Sequence, residues 1–157
     1  MRANRARDTG PERTVRAALR AAGYPGYRLN WKGAPGRPDV SYPGRHVAVF
    51  VHGCYWHHCP RCQPGLPRSN AEFWLRKFEL NRERDARKRR DLEARDWVVH
   101  EIWECDIRER LSEVIGLVCQ DLDARDGRHV PHIARSRAAS DAHQAGAPSG
   151  TTRRPGG

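Results

Sequence analysis

Three features of the sequence predict an α/β fold in a single domain. Three segments have helical signals, since two have apolar residues at helical spacing and two begin at capping-box patterns. Short runs of β-branched and aromatic residues separate these segments. A chain of 157 residues with 38% hydrophobic residues can bury one modest core. We therefore expect one domain over residues 1–123. Residues 124–157, rich in Ala, Gly, Arg, Ser and Pro, are expected to form a disordered basic tail.

The first predicted element is a helix over residues 9–22. Thr9 followed by Glu12 is a capping-box pattern, in which two side chains accept hydrogen bonds from free backbone amides. Gly23 is the expected stop, because glycine readily adopts the left-handed conformation that ends many helices. The apolar residues that share one face of this helix are Val15, Ala18, Leu19 and Ala22.

Short strands interrupted by glycine and proline follow the first helix. We predict strands over residues 27–29, 39–42 and 46–51, with a turn at Pro43 and Gly44 before the last of them. The segment "HVAVFV" is apolar and mostly β-branched. This composition favours a central strand.

A long and very polar helix is expected after a second capping-box pattern, Ser69 followed by Glu72. Its apolar residues Phe73, Trp74 and Phe78 are crowded near its start. We therefore expect the far end of this helix to be solvated.

The last two predicted elements are a strand and a helix. The segment "WVVHEIW", residues 97–103, is typical of a strand. Residues 107–122 have apolar side chains at helical spacing, which indicates a helix packed on the sheet. These side chains are Leu111, Val114, Ile115, Val118 and Leu122.

The charge of the chain indicates a polyanionic partner. Lys and Arg number 29 against 19 Asp and Glu, which gives a net charge of +10. Residues 124–157 hold six Arg and two Asp, so residues 1–123 keep 23 basic against 17 acidic residues, or +6. Residues 1–123 are therefore basic in their own right. Nucleic acid is the most common polyanionic partner of a basic chain.

Neither a membrane span nor a signal peptide is predicted. The longest apolar runs, such as residues 47–51, are far shorter than the roughly 20 residues that cross a bilayer. The first residues, "MRANRARDTGPER", are charged and contain no apolar stretch. We expect a cytoplasmic protein, in which clustered cysteines more often bind metal than form disulfides.

The segment "HGCYWHHCPRC", residues 52–62, predicts a zinc site. It spaces three cysteines as Cys54-x4-Cys59-x2-Cys62, and a tetrahedral zinc site needs a fourth ligand. Cys105 is the best candidate, because it follows the predicted strand over residues 97–103, whereas Cys119 belongs to the apolar face of the last helix. The alternatives are ordinary buried thiols and a zinc knuckle or ribbon that has no catalytic chemistry.

Four motifs resemble those of the very short patch repair (Vsr) mismatch endonucleases. They are "PGRPDV" at residues 35–40, "VAVFVHGCYWHHC" at 47–59, "NAEFWLRKFELNRERD" at 70–85 and "IWEC" at 102–105. Their order and spacing match over about residues 7–106. The resemblance implies a restriction-endonuclease-like fold of the PD-(D/E)xK superfamily, with a mixed central sheet flanked by helices and a structural zinc site.

The resemblance also implies an activity. Members of the family nick DNA on the 5′ side of the T in a T:G mismatch, which arises when 5-methylcytosine deaminates, and so initiate very short patch repair. The reaction is magnesium-dependent phosphodiester hydrolysis. The expected partner is double-stranded DNA with a T:G mismatch, with mismatch-repair proteins as further candidates, and the enzyme is expected to act as a monomer.

Site residues follow from the same resemblance. Asp39 falls on the catalytic aspartate that holds magnesium, and Val51, which replaces a common threonine, would hold the ion through its main-chain carbonyl. His57 falls on the catalytic histidine and His52 on a second active-site histidine, while Glu12 matches an acidic residue near the site. The zinc positions are occupied by Cys54, Cys59, Cys62 and Cys105, with Cys59 in place of a common histidine. The DNA-intercalating positions are occupied by Tyr55, Trp56 and Trp74.

The chemistry of these residue types suits hydrolysis of a phosphodiester. Asp39 is a hard oxygen ligand of the kind that magnesium prefers. A neutral His57 can orient or deprotonate water, because a histidine has an ordinary pKa near 6.5. No lysine is present in "FVH", so a histidine is expected to replace the lysine usual in such nucleases.

Each assignment has an alternative. Asp39 after a proline can cap a turn, His57 and His58 can be surface residues or spare zinc ligands, and Trp56 and Trp74 can be core aromatics. Two other function classes also remain. One is a zinc-stabilised DNA-binding module without catalysis, and the other is a nuclease of the same fold with another DNA target.

Overall fold

The computed structural model describes residues 8–126, which form three helices and four strands. In chain order these are α1 (Gly10–Ala21), β1 (Arg28–Leu29), β2 (Val40–Tyr42), β3 (Val47–His52), α2 (Ala71–Glu93), β4 (Val98–Trp103) and α3 (Glu104–Ala124). The expected tail lies outside the described residues from residue 127 onward. Within residues 8–126, no helix combines the length and apolar composition that crossing a membrane requires.

The strands form one mixed sheet in the order β1-β2-β3-β4. β1 with β2, and β2 with β3, are antiparallel, whereas β3 and β4 are parallel. Val47 lies opposite Val98 and His52 lies opposite Trp103. A parallel pair needs a long crossover connection, and α2 lies within it. The mixed α/β architecture with a central sheet is therefore confirmed.

The alternation of side chains along β3 separates two apolar cores. Val47 and Val49 face α1 and α3 in the larger core, whereas Ala48 and Phe50 face the opposite side of the sheet. The larger core also contains Val15, Leu19, Val40, Tyr42, Ile102, Val114, Ile115, Val118 and Leu122. β3 lies between β2 and β4, as a central strand should, and it is buried on both faces.

Helix α1 has the predicted start and the predicted stop. The Thr9 hydroxyl accepts a hydrogen bond from the Glu12 amide at 3.4 Å, and the Glu12 carboxylate accepts one from the Asp8 amide at 2.9 Å. Gly23 has φ +94°. The amides of Gly23 and Tyr24 close back onto α1 in a Schellman motif. These caps hold Glu12 at the first turn of α1, where its side chain is buried.

Two predictions about α2 are wrong. The capping box at Ser69 does not form, because Asn70 is the N-cap residue, in a left-handed conformation and with no side-chain cap hydrogen bond. The far end of α2 is not wholly solvated, because Leu92 is 0% exposed. Leu92 packs with Phe50 and Trp97 in the second core. One apolar residue in a polar helix carries no periodicity, so sequence pattern could not reveal this contact.

Candidate active site and cysteine cluster

Four cysteines meet beyond the carboxyl ends of β3 and β4. The sulfur atoms of Cys54, Cys59, Cys62 and Cys105 all lie within 4.8 Å of one another. The Cys59 and Cys105 Sγ atoms are 3.7 Å apart. In a zinc tetrahedron with bonds of about 2.3 Å, sulfur atoms lie about 3.8 Å apart. The geometry and the soft donors of this cysteine cluster therefore fit zinc.

The parallel register of β3 and β4 explains why Cys105 joins the cluster. His52 lies opposite Trp103, and each strand is followed two residues later by a cysteine. The Cys105 amide donates a hydrogen bond to the Cys54 Sγ atom at 3.3 Å. Cys119 instead packs against the larger core. Of the two candidates that the sequence offered for the fourth position, the structure brings Cys105 to the cluster.

The thiols of the cluster have unequal acidity. Burial raises the pKa of Cys54 and of Cys105 to about 11. Burial would also raise the pKa of Cys59, but backbone amides of Cys62 and Arg61 donate hydrogen bonds to it and lower its pKa overall. Since zinc binds thiolates, such a cluster must release protons when it takes up the ion.

An ion-pair network fixes the cysteine loop to α3. The Arg61 Nη1 atom lies 2.6 Å from the Asp106 Oδ1 atom, and the Arg110 Nε atom lies 2.9 Å from the same oxygen. The second oxygen of Asp106 accepts a hydrogen bond from the Trp103 amide at 3.1 Å. The Asp106 carboxylate is thus buried but fully partnered, and it contributes to holding the loop that carries Cys59 and Cys62.

A cleft of about 470 Å³ lies beside the cysteine cluster. The five predicted catalytic and magnesium-binding residues line it, namely Glu12, Asp39, Val51, His52 and His57. The Asp39 Oδ2 atom accepts a hydrogen bond from the Val51 amide at 2.8 Å. Backbone pairing between β2 and β3 ends at Val40 and Val49. Beyond this pair, the Asp39 side chain takes over the contact with β3 through its hydrogen bond from Val51. Residues distant in sequence are therefore brought to one surface.

The environment of Asp39 suits a cation. Burial raises the pKa of Asp39, and the hydrogen bond from Val51 opposes that rise. The nearby Glu12 carboxylate raises the pKa further. Two crowded carboxylates and the Val51 carbonyl are hard oxygen donors of the kind that magnesium binds. The donor set therefore fits a divalent ion of that class.

His57 is held by an aspartate that the sequence analysis did not select. The His57 Nδ1 atom lies 2.6 Å from the Asp85 Oδ2 atom, and the Lys88 Nζ atom lies 3.0 Å from the Asp85 Oδ1 atom. Burial would raise the pKa of Asp85, but the hydrogen bonds from His57 and Lys88 outweigh burial and lower it to about 2. Asp85 is therefore a carboxylate that orients the His57 ring.

The second histidine has its own carboxylate partner. The His52 Nε2 atom lies 3.4 Å from the Glu101 Oε1 atom, and the His52 and His57 rings are 4.5 Å apart. The hydrogen bond with His52 lowers the pKa of Glu101. Asp85, Lys88 and Glu101 were missed because single charges on a polar helix or strand resemble solvated residues. Asp85 ends the third quoted motif, which was the only available signal.

The three predicted intercalating residues form one aromatic cluster. The ring of Tyr55 lies 5.2 Å from that of Trp56 and 6.0 Å from that of Trp74. Trp56 is 43% exposed, and the neighbouring Phe73 is 60% exposed. The Lys77 ammonium lies 5.1 Å from the Trp74 ring centroid. Trp56 also lines the cleft, so the aromatic cluster and the candidate active site are continuous.

The sequence of the chain is similar to those of known mismatch and nicking enzymes. The model of the family described as DNA mismatch endonuclease Vsr matches residues 1–63. The type II nicking enzyme V.XorIIP of Xanthomonas oryzae pv. oryzae is 42% identical over 106 residues, covering 67% of this chain and 76% of that protein. DNA mismatch endonuclease Vsr of Escherichia coli is 37% identical over 110 residues, covering 70% of each chain. The type II nicking enzyme V.NaeI of Lentzea aerocolonigenes is 35% identical over 127 residues, covering 78% of this chain and 74% of that protein. The chain therefore belongs to the DNA mismatch endonuclease Vsr family.

Proposed function

We propose that this protein is a magnesium-dependent endonuclease that nicks the T-containing strand of a T:G mismatch, on the 5′ side of the T. One observation carries the proposal, which is that Asp39, His57 and Trp56 line the same cleft. A carboxylate for a metal ion, a histidine for water and an aromatic ring for the base stack are then placed together. Membership of a family of mismatch and nicking enzymes supports this combination.

Asp39 is the proposed magnesium ligand, with the Val51 main-chain carbonyl as a second. The hydrogen bond from the Val51 amide fixes one oxygen of Asp39. Glu12 lies close enough to act on the Asp39 carboxylate electrostatically, and caps hold it in place. When bound, magnesium would neutralise phosphate oxygens and stabilise the charge that develops on them.

His57 is the proposed general base. Its ring accepts the proton from a water molecule, while the water oxygen bonds to phosphorus and the bond from phosphorus to the leaving oxygen breaks. Asp85 holds the ring through Nδ1, which leaves the other ring nitrogen for water. His52, held by Glu101, is placed to orient the phosphate beside it.

The aromatic cluster is the proposed reader of the mismatch. Inserting Tyr55, Trp56 and Trp74 into DNA requires unstacking, which costs a few kcal/mol per step and less at a mispair. The exposed Trp56 ring can enter the stack, whereas Tyr55 packs on the buried Phe78 at 6.0 Å and supports it. The difference in unstacking cost then favours T:G over paired DNA.

We also propose a superfamily, a structural metal, an oligomeric state and further partners for this protein. We propose that the chain belongs to the PD-(D/E)xK superfamily, since Asp39 directly follows Pro38 and lines a cleft beside a mixed sheet. The cysteine cluster holds a structural zinc, and residues 1–123 act as one monomeric domain. The basic residues 124–157 would add non-specific attraction to phosphates. Interaction with mismatch-repair proteins is a further part of the proposal.

A zinc-stabilised DNA-binding module without catalysis is the competing function. It is disfavoured by the His57–Asp85 pair and by Asp39, because a binding module needs neither a water-orienting histidine nor a crowded carboxylate. A nuclease of the same fold with another DNA target needs the same cleft. This third possibility differs from the proposed function only in the DNA that is cut.

A nicking assay tests these functions together. Duplexes labelled on either strand and carrying T:G, another mismatch or T:A are incubated with the protein and magnesium. We expect a single cut in the T strand of the T:G duplex, and Asn in place of Asp39 (Asp39→Asn) should abolish the cut while the duplex still binds. Binding without cutting would favour the binding module, and equal cutting of all duplexes would favour another target.

A further inference from the structure

Lys88 extends from α2 into the candidate active site. Its Nζ atom lies 3.0 Å from the Asp85 Oδ1 atom, three residues earlier on the helix. The side chain also lines the cleft that contains Glu12 and Asp39. A positive charge thus lies between the carboxylate proposed to hold magnesium and the one that orients His57.

The stem of Lys88 is held in a fixed path. It packs against the backbone at Gly36, where an added Cβ atom would lie only 2.5 Å from the Lys88 Cγ atom. Gly36 has φ +71°, so glycine also suits the backbone of the loop that leads to Asp39. The Lys88 ammonium lies 5.7 Å from the Phe50 ring centroid. These contacts direct a flexible side chain toward the cleft, although 30% of it remains exposed.

The ammonium group has hydrogen-bonding capacity left over. An ammonium offers three donors, and the described ion pair with Asp85 uses one of them. The cleft is lined by the carboxylates of Glu12, Asp39 and Glu104, which would repel an incoming phosphate. A cation at this position offsets that repulsion. Arg37 also lines the cleft. Lys88 is the cation there that packs against Gly36 and pairs with Asp85.

We propose that Lys88 is the catalytic cation of this enzyme, which donates from Nζ to the phosphate undergoing hydrolysis while it remains paired with Asp85. This inference rests on the proposed nuclease function and adds a residue to it. Lys88 lies on α2 rather than on the central strands, and "FVH" on β3 contains no lysine. Its charge acts where negative charge develops on the phosphate oxygens.

Two substitutions and one matched control test this role. Lys88→Met removes the charge and retains the stem, Lys88→Arg retains a positive charge, and Lys32→Met removes an exposed lysine that does not line the cleft. Single-turnover nicking of the T:G duplex should slow by about 10²- to 10³-fold in Lys88→Met, the scale expected for loss of one donor to the developing charge. Lys88→Arg should restore most of the rate, and Lys32→Met should nick normally. Zinc content and melting temperature confirm that each variant is folded.

A second readout does not depend on cleavage. Duplex affinity is measured against salt concentration in magnesium-free buffer, where each phosphate contact contributes about 0.9 to the slope of log K against log salt. Lys88→Met should reduce this slope by about one relative to the wild-type protein. A wild-type slope in Lys88→Met, or a nicking rate no lower than that of Lys32→Met, would overturn the role of Lys88. If the wild-type protein bound the duplex but cut nothing, the proposed nuclease function would fail, and the slopes would still decide whether Lys88 contacts phosphate.

Discussion

The cysteine cluster and the active-site cleft both extend from the end of β3, yet their polar groups are partnered in opposite ways. In the cluster, four sulfur atoms within 4.8 Å of one another converge on a single point. Beside the cleft, polar side chains are held in separate pairs, with His57 bonded to Asp85 and His52 bonded to Glu101. The four sulfur atoms of the cluster face one another, whereas the cleft leaves a space of about 470 Å³ between its lining residues.

The short segment 52–62 thus contains two kinds of residue, cysteines expected to support folding and histidines expected to support catalysis. A closed metal site contributes its binding free energy to the folded state, and it fails if one ligand is lost. A cleft of paired charges contributes less to stability but prepares groups for proton transfer and phosphate binding. We therefore expect substitutions in the cluster to affect metal content and folding, and substitutions in the cleft to affect nicking much more than stability.

The largest effect is expected for Cys105→Ser. A structural zinc site contributes on the order of 10 kcal/mol to folding, and Cys105 supplies one of four ligands from a different element than the other three. The variant should lose zinc and unfold, as measured by metal analysis and circular dichroism in reducing buffer. Cys119→Ser is the matched control and should keep both zinc and fold. Unchanged zinc content in Cys105→Ser would contradict the assignment of the cluster.

The next effect is expected for His57→Ala. General-base assistance is worth about 10²- to 10⁴-fold, so nicking should slow on that scale while zinc content and duplex binding persist. His58→Ala is the control, because the neighbouring His58 packs against Phe78, with ring centroids 5.0 Å apart, and does not line the cleft that contains Asp39. If His57→Ala lost zinc and unfolded, His57 would belong to the metal site, and the separation between cluster and cleft would not hold.

The fold was predictable wherever a local pattern determined it. The capping box at Thr9, the stop at Gly23 and the apolar run of β3 each specify their own conformation, and all three are present in the structure. The kink in α3 at Arg110 has no such pattern. The packing of Leu92 on Trp97 also lacked one, since that contact depends on how α2 crosses the sheet.

The site residues could be predicted only where they match the motifs of the family. The structure places Glu12, Asp39, Val51, His52 and His57 in one cleft, although nothing in their spacing shows that they meet. Lys88 was missed because it is one of many basic residues in "RERDARKRR". Only the positions of Gly36 and Asp85 distinguish Lys88 from its solvated neighbours. Such contacts between elements are not encoded in local composition.

A smaller effect is expected for Trp56→Ala, which removes the exposed ring that joins the aromatic cluster to the cleft. Discrimination between T:G and T:A duplexes should fall by about tenfold, a fraction of the few kcal/mol involved in unstacking. The ratio of nicking rates on the two duplexes measures it. Phe73→Ala is the control for loss of an exposed ring outside the predicted set. An unchanged ratio in Trp56→Ala would count against insertion at the mismatch.

The smallest effect is expected for the stability of Asp85→Asn, and it depends on pH. The pKa of Asp85 is lowered to about 2 in the folded protein, from about 3.9 in an unfolded chain. A lowered pKa means that the folded state favours the carboxylate, so Asp85 stabilises the fold above about pH 4 and loses this effect as the pH falls toward 2.

The Asp85 side chain is 13% exposed. Solvent screening therefore reduces the stabilisation of the folded state that Asp85 contributes to about 1 kcal/mol at neutral pH. Asp85→Asn should therefore be less stable than the wild-type protein by about that amount at pH 7. The difference should shrink below pH 4, as measured by urea unfolding of both proteins at each pH. Comparison of the two proteins at the same pH removes effects common to both, including acid release of zinc. A difference that grew on acidification would mean that Asp85 is not held as a carboxylate by His57 and Lys88.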